Sequence, residues 1–352
     1  MGPGDAPCGA AAGAIRALTP RGAVPARHCG NRLRPREPGT ESDGMTLTVR
    51  PAGPGDASDI CALLNAVDMI EIGRPETDLG TVESDLNAPD VDLATDSWLA
   101  HQDGRLVAYA LVWADSGPGR VDGDHYVLPG HSEAAVLLLE RMEARARELT
   151  AGQGVLRLQL NVEPTLDLPL LTGRGYRTIR RYQVMTRSLA PDADPAPTPP
   201  TGLALRHCGD DEADRRRAHA LVERTFAAHF GHVDRPYENW LDHMDGRKLD
   251  WSLVWIASLP GHGDAAVLLT RDDRTSMAWV SHIGVAEEVR GRGIGGFLLR
   301  HGFAVYAGRG RDTVGLGVDT HNATGALALY EAHGMGLHYA VDSWELALHP
   351  QG

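Results

Sequence analysis

The stretch "VRGRGIGGFLLRHG", residues 289–302, holds Gly291, Gly293, Gly295 and Gly296 between two arginines and an apolar run. Small residues at a helix entrance let backbone N–H groups converge on an anion, and the helix dipole adds positive potential at the same point. Arg290 and Arg292 add full charges. The chemistry on offer is the holding of a diphosphate.

Two diphosphates compete. Gly291, Gly293 and Gly296 have the Gly-x-Gly-x-x-Gly spacing of dinucleotide folds, and Asp319 follows the next strand pattern as a ribose-binding acid would. In such folds the strand runs directly into the first glycine, whereas here "AEEVR" separates Val285 from Gly291. The chain after Asp319 is also too short for the rest of a doubly wound sheet. The other spacing, Arg290-x-x-Gly293-x-Gly295, is followed by "VDTHNATGALALYEAHGM". These two motifs, in this order between Leu203 and Leu348, resemble the GNAT superfamily of acyl-CoA-dependent N-acyltransferases.

The resemblance implies roles residue by residue. Arg290, Gly291, Arg292, Gly293, Ile294, Gly295 and Gly296 would hold the pyrophosphate of acetyl-CoA, which enters as co-substrate. The strand edge at Ile283, Gly284 and Val285 would pair with the pantetheine and polarise the thioester carbonyl, and Asn322 would touch the cofactor from its loop. Tyr330 would protonate the departing thiolate, and His282 is the candidate general base. The same side chains have structural readings: Tyr330 as a packed ring, Asn322 as a helix cap, and the arginines as solvated surface.

The acceptor side implied by the family falls in "FAAHFGHVDRPYENWLDHMD", where Phe226, His232, Asp234, Tyr237 and Glu238 are the expected substrate contacts. Acids beside aromatic rings suit a cationic amine. The histidine spacing there matches no zinc pattern, so no metal is expected. The leading reading is acetyl transfer to a primary amine of a small molecule by direct attack in a ternary complex. A non-catalytic acyl-CoA sensor and a protein amine acetyltransferase stand as alternatives.

The elements that position these groups recur. Sliding the chain by 159 positions lays "YEAHGM" (330–335) over "LTGRGY" (171–176) and "FLLRHGF" over "LLERMEA", which points to an internal duplication. The expected fold is α/β (α+β), two tandem GNAT folds, each with a mixed, mostly antiparallel sheet flanked by helices. Expected boundaries are a disordered extension over 1–44 with Met45 as the natural start, a degenerate fold over 45–190, a proline-rich linker over 191–201 and a catalytic fold over 202–352. In the first half strands are expected at "LTVRP", "SWLAHQ", "LVAYALVW", "DHYVL" and "VLRLQL", helices over 57–67 and 132–149, and a closing strand pair around "YRTIRRYQVMTRSL". In the second half helices are expected over 211–230, 295–307 and 322–333, with terminal strands after them. At the 159 offset His131, Ala134, Val136 and Leu171 replace Arg290, Gly293, Gly295 and Tyr330, so the first half lacks the chemistry.

Composition narrows the class. A net charge of −13 opposes a nucleic-acid partner, which needs a basic footprint. No apolar run reaches the roughly 20 residues of a membrane helix. Four scattered cysteines without a Cys-x-x-Cys pair suit a reducing cytoplasm. A monomer or homodimer is expected.

Overall fold

The structure is a computed structural model that describes residues 46–88, 91–114, 119–244, 249–274, 276–321 and 325–349. The extension over 1–44 and Asn322 lie outside the described residues. The first half runs β1 (Leu47–Arg50), α1 (Ala57–Glu71), α2 (Leu79–Leu86), α3 (Leu93–Asp96), β2 (Ser97–Gln102), β3 (Arg105–Trp113), β4 (Arg120–Val127), α4 (Ser132–Leu149), β5 (Gly154–Asn161), α5 (Leu168–Gly173) and β6 (Arg177–Ser188). The second half runs β7 (Ala204–His207), α6 (Glu212–Phe226), α7 (Tyr237–His243), β8 (Val254–Leu259), β9 (Gly263–Arg271), β10 (Ala278–Val285), α8 (Ile294–Gly308), β11 (Thr313–Asp319), α9 (Ala326–Ala332) and β12 (Gly336–Leu348).

Local sequence explains most of these elements. The apolar stripe Ala135, Leu138, Leu139, Met142 and Ala146 is the buried face of α4, with Glu133, Glu140, Arg141 and Glu148 turned outward. Asp103 and Gly104, both at positive φ, close the β2–β3 hairpin as a primed turn requires. Asp211 caps α6 by accepting from the N–H groups of Ala213 and Asp214.

Three local expectations are corrected. The segment read as a closing pair is one strand, β6, because nothing between Arg177 and Ser188 can turn the chain. The terminal strands are likewise one strand, β12, bent by register shifts at Leu337/Tyr339 and Ser343/Trp344. Helix α6 ends at Phe226, not at 230. The chain leaves the helix there, and the Phe230 ring sits against the guanidinium groups of Arg180 (4.4 Å) and Arg157 (5.3 Å).

The described strands form one twelve-stranded sheet in the order β1-β2-β3-β4-β5-β12-β6-β11-β10-β9-β8-β7. All neighbours are antiparallel except β4/β5 and β10/β11. The sheet does not part at the linker, because each half gives its last strand to the other. Strand β12 pairs with β5 along Val341–Leu348 and sends Trp344, Leu346 and Leu348 into the core around Leu138, Leu139 and Met142. Strand β6 pairs with β11, and its Met185 joins the core around Phe297, Leu298 and Phe303. Ion pairs stitch the exchange: Arg181 donates two 2.7 Å bonds to Asp342, and Arg157 reaches Glu345 at 2.9 Å. The proline-rich connection is tied down by Asp194, which pairs with Arg187 at 2.6 Å.

The opening between β4 and β5 encloses only about 100 Å³, lined in part by Asp68, Glu71, Tyr126 and Arg274. Burial lifts the Asp68 carboxyl from 3.8 to about 6. The folded state therefore keeps a proton that the unfolded chain releases above about pH 4. The contribution to stability falls as pH rises through this window and is lost above the folded value. Asp68→Asn can still accept the bonds from the Glu76 N–H and the Thr77 hydroxyl. Urea denaturation should find it about 1–3 kcal/mol more stable than the parent near pH 7.5, with a flatter pH dependence between 4 and 6.

Candidate active site

The parallel pair β10/β11 holds for three residue pairs, Ala278–Val280 against Val314–Leu316, and then the strands separate. A register shift against β9 leaves Ser281 as an extra residue between Val280 and His282, and a bulge of this kind re-aims a strand. Strand β10 continues on β9 to Val285, while β11 continues on β6 to Asp319. Between them opens a cavity of about 460 Å³, whose walls include Ser281 to Val285 on one side and Leu316 to Asp319 on the other.

The glycine loop meets this cleft at the start of α8. Gly291 and Gly293 both have φ of +76°, in the left-handed region that L side chains rarely adopt. Arg292 stands between them, and turns of this kind gather backbone N–H groups into an anion-binding concavity. Gly295 and Gly296 have another reason to be small. A Cβ on Gly296 would lie 2.9 Å from the His333 ring, and one on Gly295 would lie 3.3 Å from Leu329. Their bareness lets α8 pack closely on α9, the helix that carries Tyr330. Arg290 is exposed at the cleft and its Nε donates to the Val285 carbonyl at 3.1 Å.

The cleft brings together His282, Ile283, Gly284, Val285, Arg290, Gly291, Gly293, Ile294, Gly295, Gly296, Tyr330, Phe226 and His232 from the expected set. Tyr330 is buried, and burial pushes its hydroxyl well above the ordinary tyrosine range, so it stays protonated. The His282 ring lies edge-on to Phe226, with centroids 5.0 Å apart.

Four expected residues do not line the cavity. Arg292 is exposed beside it. Asp234 is exposed and accepts from His232 Nε2 at 2.9 Å. Tyr237 is buried in a side core with Trp240, under the Arg216 guanidinium at 4.2 Å. Glu238 points to solvent and pairs with Arg216 at 2.8 Å. The cause is the phase of α7: Tyr237 and Trp240, three residues apart, share the inward face, and Glu238 falls on the outer one.

In their place the cleft holds Glu223, His229, Asp319 and Tyr182. Glu223 lies one turn before Phe226 on the same face of α6, a spacing the sequence does display. Burial raises its carboxyl, and nearby His232, at 3.1 Å, opposes the rise. Burial lowers the His229 imidazole, with Asp319 pulling the other way. Ligand atoms of Glu223, His232 and Asp234 lie within 4.8 Å of one another, close enough to share an ion, and their mutual hydrogen bond and ion pair also account for the grouping. No signal marks Tyr182, which arrives on the exchanged strand.

The first half is built differently at the matching point. Residues 128–131 join β4 to α4, where residues 286–293 join β10 to α8. His131 is the N-cap of α4 as Gly293 is of α8, so the constant offset that aligns Ala134 with Gly293 slips at this loop. The shorter connection keeps one left-handed glycine, Gly130 at φ +86°, where the second half has both Gly291 and Gly293. Among the described residues no helix is long and apolar enough to cross a membrane.

Comparison with known proteins agrees with this geometry. The family model "Acetyltransferase (GNAT) family" matches residues 220–335. A GCN5-related N-acetyltransferase from Sphaerobacter thermophilus is 25% identical, with 87% of this chain and 97% of that one covered at a TM-score of 0.75. A tandem GNAT protein from the clavulanic acid biosynthesis pathway has the same fold at 18% identity, covering 87% and 100% at a TM-score of 0.65. A glucosamine N-acetyltransferase region of a fungal multi-domain β-N-acetylglucosaminidase shares it at 14% identity, covering 87% and 38% at a TM-score of 0.64. No curated protein matches the chain. Residues 220–335 thus match the acetyltransferase (GNAT) family model, and the chain as a whole shares the fold of a GCN5-related N-acetyltransferase and of a protein built from two such folds in tandem.

Proposed function

We propose that the protein transfers acetyl from acetyl-CoA to a primary amine of a small molecule, by direct attack with both substrates bound. The observation that carries this is the meeting of the β10/β11 opening with a left-handed glycine turn at the start of a fifteen-residue helix. Backbone N–H groups from Gly291 to Gly296, with Arg290, suit a diphosphate. The β10 edge at Ile283–Val285 suits the pantetheine amides. When bound, acetyl-CoA supplies the activated acyl group.

The chain's own groups then divide the work. Glu223 and Asp319 draw a cationic amine inward while Phe226 covers its apolar part. His282 takes one proton from the ammonium and frees its lone pair, the nitrogen bonds to the acyl carbon as the carbon–sulfur bond breaks, Tyr330 protonates the leaving thiolate, and the second proton the nitrogen loses as the amide forms restores Tyr330. Holding amine and thioester in line supplies much of the rate. The first half is proposed to have no turnover of its own, given its shortened loop and small cavity. Cys61 and Cys208, both thiols outside any disulfide, fit a cytoplasmic setting.

Calorimetry with acetyl-CoA and thiol release over a panel of amines test this. Gly293→Val places a β-branched residue at φ +76° and should weaken acetyl-CoA binding at least about tenfold, with the fold retained. No uptake of acetyl-CoA by the parent, or uptake indifferent to this change, would remove the reading. Tight uptake without thiol release on any amine would favour a sensor, and release with peptides alone would favour a protein acceptor.

A further inference from the structure

Strand β6 belongs to the first half by sequence yet lies beside β11 in the second half's sheet, with Tyr182 opposite Asp319. Its ring packs with Val184, Met277, Trp279 and Val341, it is only 3% exposed, and it lines the cleft. Its hydroxyl oxygen is buried with no hydrogen-bond partner among the described residues. A buried hydroxyl in that state has given up its bonds to water without replacement. Neighbouring Asp319 is different: its carboxylate already accepts from Arg180 Nε at 3.0 Å and from the His321 N–H at 2.8 Å. Tyr182 is the residue on this wall whose polar group has no bond among the described residues. It also stands two strands from β10, roughly 10 Å by interstrand spacing alone, so it is remote from the amine that reacts beside Ile283.

We infer that Tyr182 is a specificity-determining residue that hydrogen-bonds a second polar group of the acceptor, a hydroxyl or second amine distant from the reacting nitrogen. This rests on the acetyl-transfer reading above. Arg180 supports the arrangement by holding Asp319 and lying over Phe230, which anchors the loop after α6. The acceptor class is an amine with a second polar end, and the first half is the part of the chain that reads that end.

The test compares α,ω-diamines and ω-amino alcohols with n-alkylamines of the same chain length, by thiol release with the full chain and acetyl-CoA. The parent should prefer the bifunctional amines by about tenfold or more in kcat/KM. Tyr182→Phe keeps the ring in its packing and should reduce the preference to within about twofold, through a raised KM for the bifunctional amines. Tyr176→Phe, in the first-half core, is the control and should alter none of these. Thermal melts confirm that both variants are folded. A parent without the preference, or a preference that survives Tyr182→Phe, overturns the inference and leaves acetyl transfer standing. Uptake of acetyl-CoA with no thiol release on any amine removes both.

Discussion

Tyr330→Phe is expected to lower kcat by about 10²–10³-fold while acetyl-CoA affinity stays within about twofold. The ring is buried beside the cleft, and the substitution keeps its packing while removing the proton donor. Burial pushes the phenol well up, so the donor is present across the whole working range. The alkaline limb of the pH–rate profile should therefore not report Tyr330. A general acid leaves this pattern because its bond to the leaving sulfur forms only as charge develops there. A ring that serves packing alone would leave kcat within about twofold, and steady-state kinetics with calorimetry separate the two outcomes.

The second large effect is on assembly. Residues 46–190 and 202–352 expressed separately should each fail to reach a cooperative fold, whereas co-expression should restore one complex able to take up acetyl-CoA. The first fragment lacks β12, leaving the β5 edge bare and the places of Trp344, Leu346 and Leu348 empty. The second lacks β6, so β11 loses its antiparallel partner and the core loses Met185. Losing one large apolar side chain from a core costs about 2–5 kcal/mol, and several such losses exceed the roughly 5–15 kcal/mol by which domains are stable. The full chain should melt in one transition, since the exchanged strands couple the halves. Independent folding of either fragment, seen as a sharp melt and dispersed amide resonances, would show the exchange to be dispensable. Cutting the intact chain within 191–200 should leave the complex together, because sheet contacts and not this connection hold it.

Short-range physics made much of this protein legible before any coordinates. The limits of α4 follow from its apolar period, the β2–β3 hairpin from Asp103 and Gly104, and the α6 start from Asp211. The two ordered motifs around Gly293 and Tyr330 pointed to the cleft for the same reason, since a glycine turn at a helix entrance carries its geometry within a few residues. Long-range packing decided the rest. Which face of α7 turns inward, sending Tyr237 to a side core and Glu238 to solvent, depends on what α7 packs against. Ser281 looks like any strand residue until β9 and β10 are paired and it becomes the bulge that opens the cleft.

The exchange of β6 and β12 is the clearest case. A strand's sequence specifies alternation and burial, and β6 would satisfy both beside β5 or beside β11. The choice comes from pairings such as Arg181 with Asp342 and from the cores that Trp344 and Met185 fill. By itself the sequence determined a duplicated fold and the glycine turn at the start of α8. Only the tertiary structure decided that Tyr182 of the first half stands at the cleft of the second, with Arg180 holding Asp319 beside it, because contacts between residues more than a hundred positions apart carry no local signature.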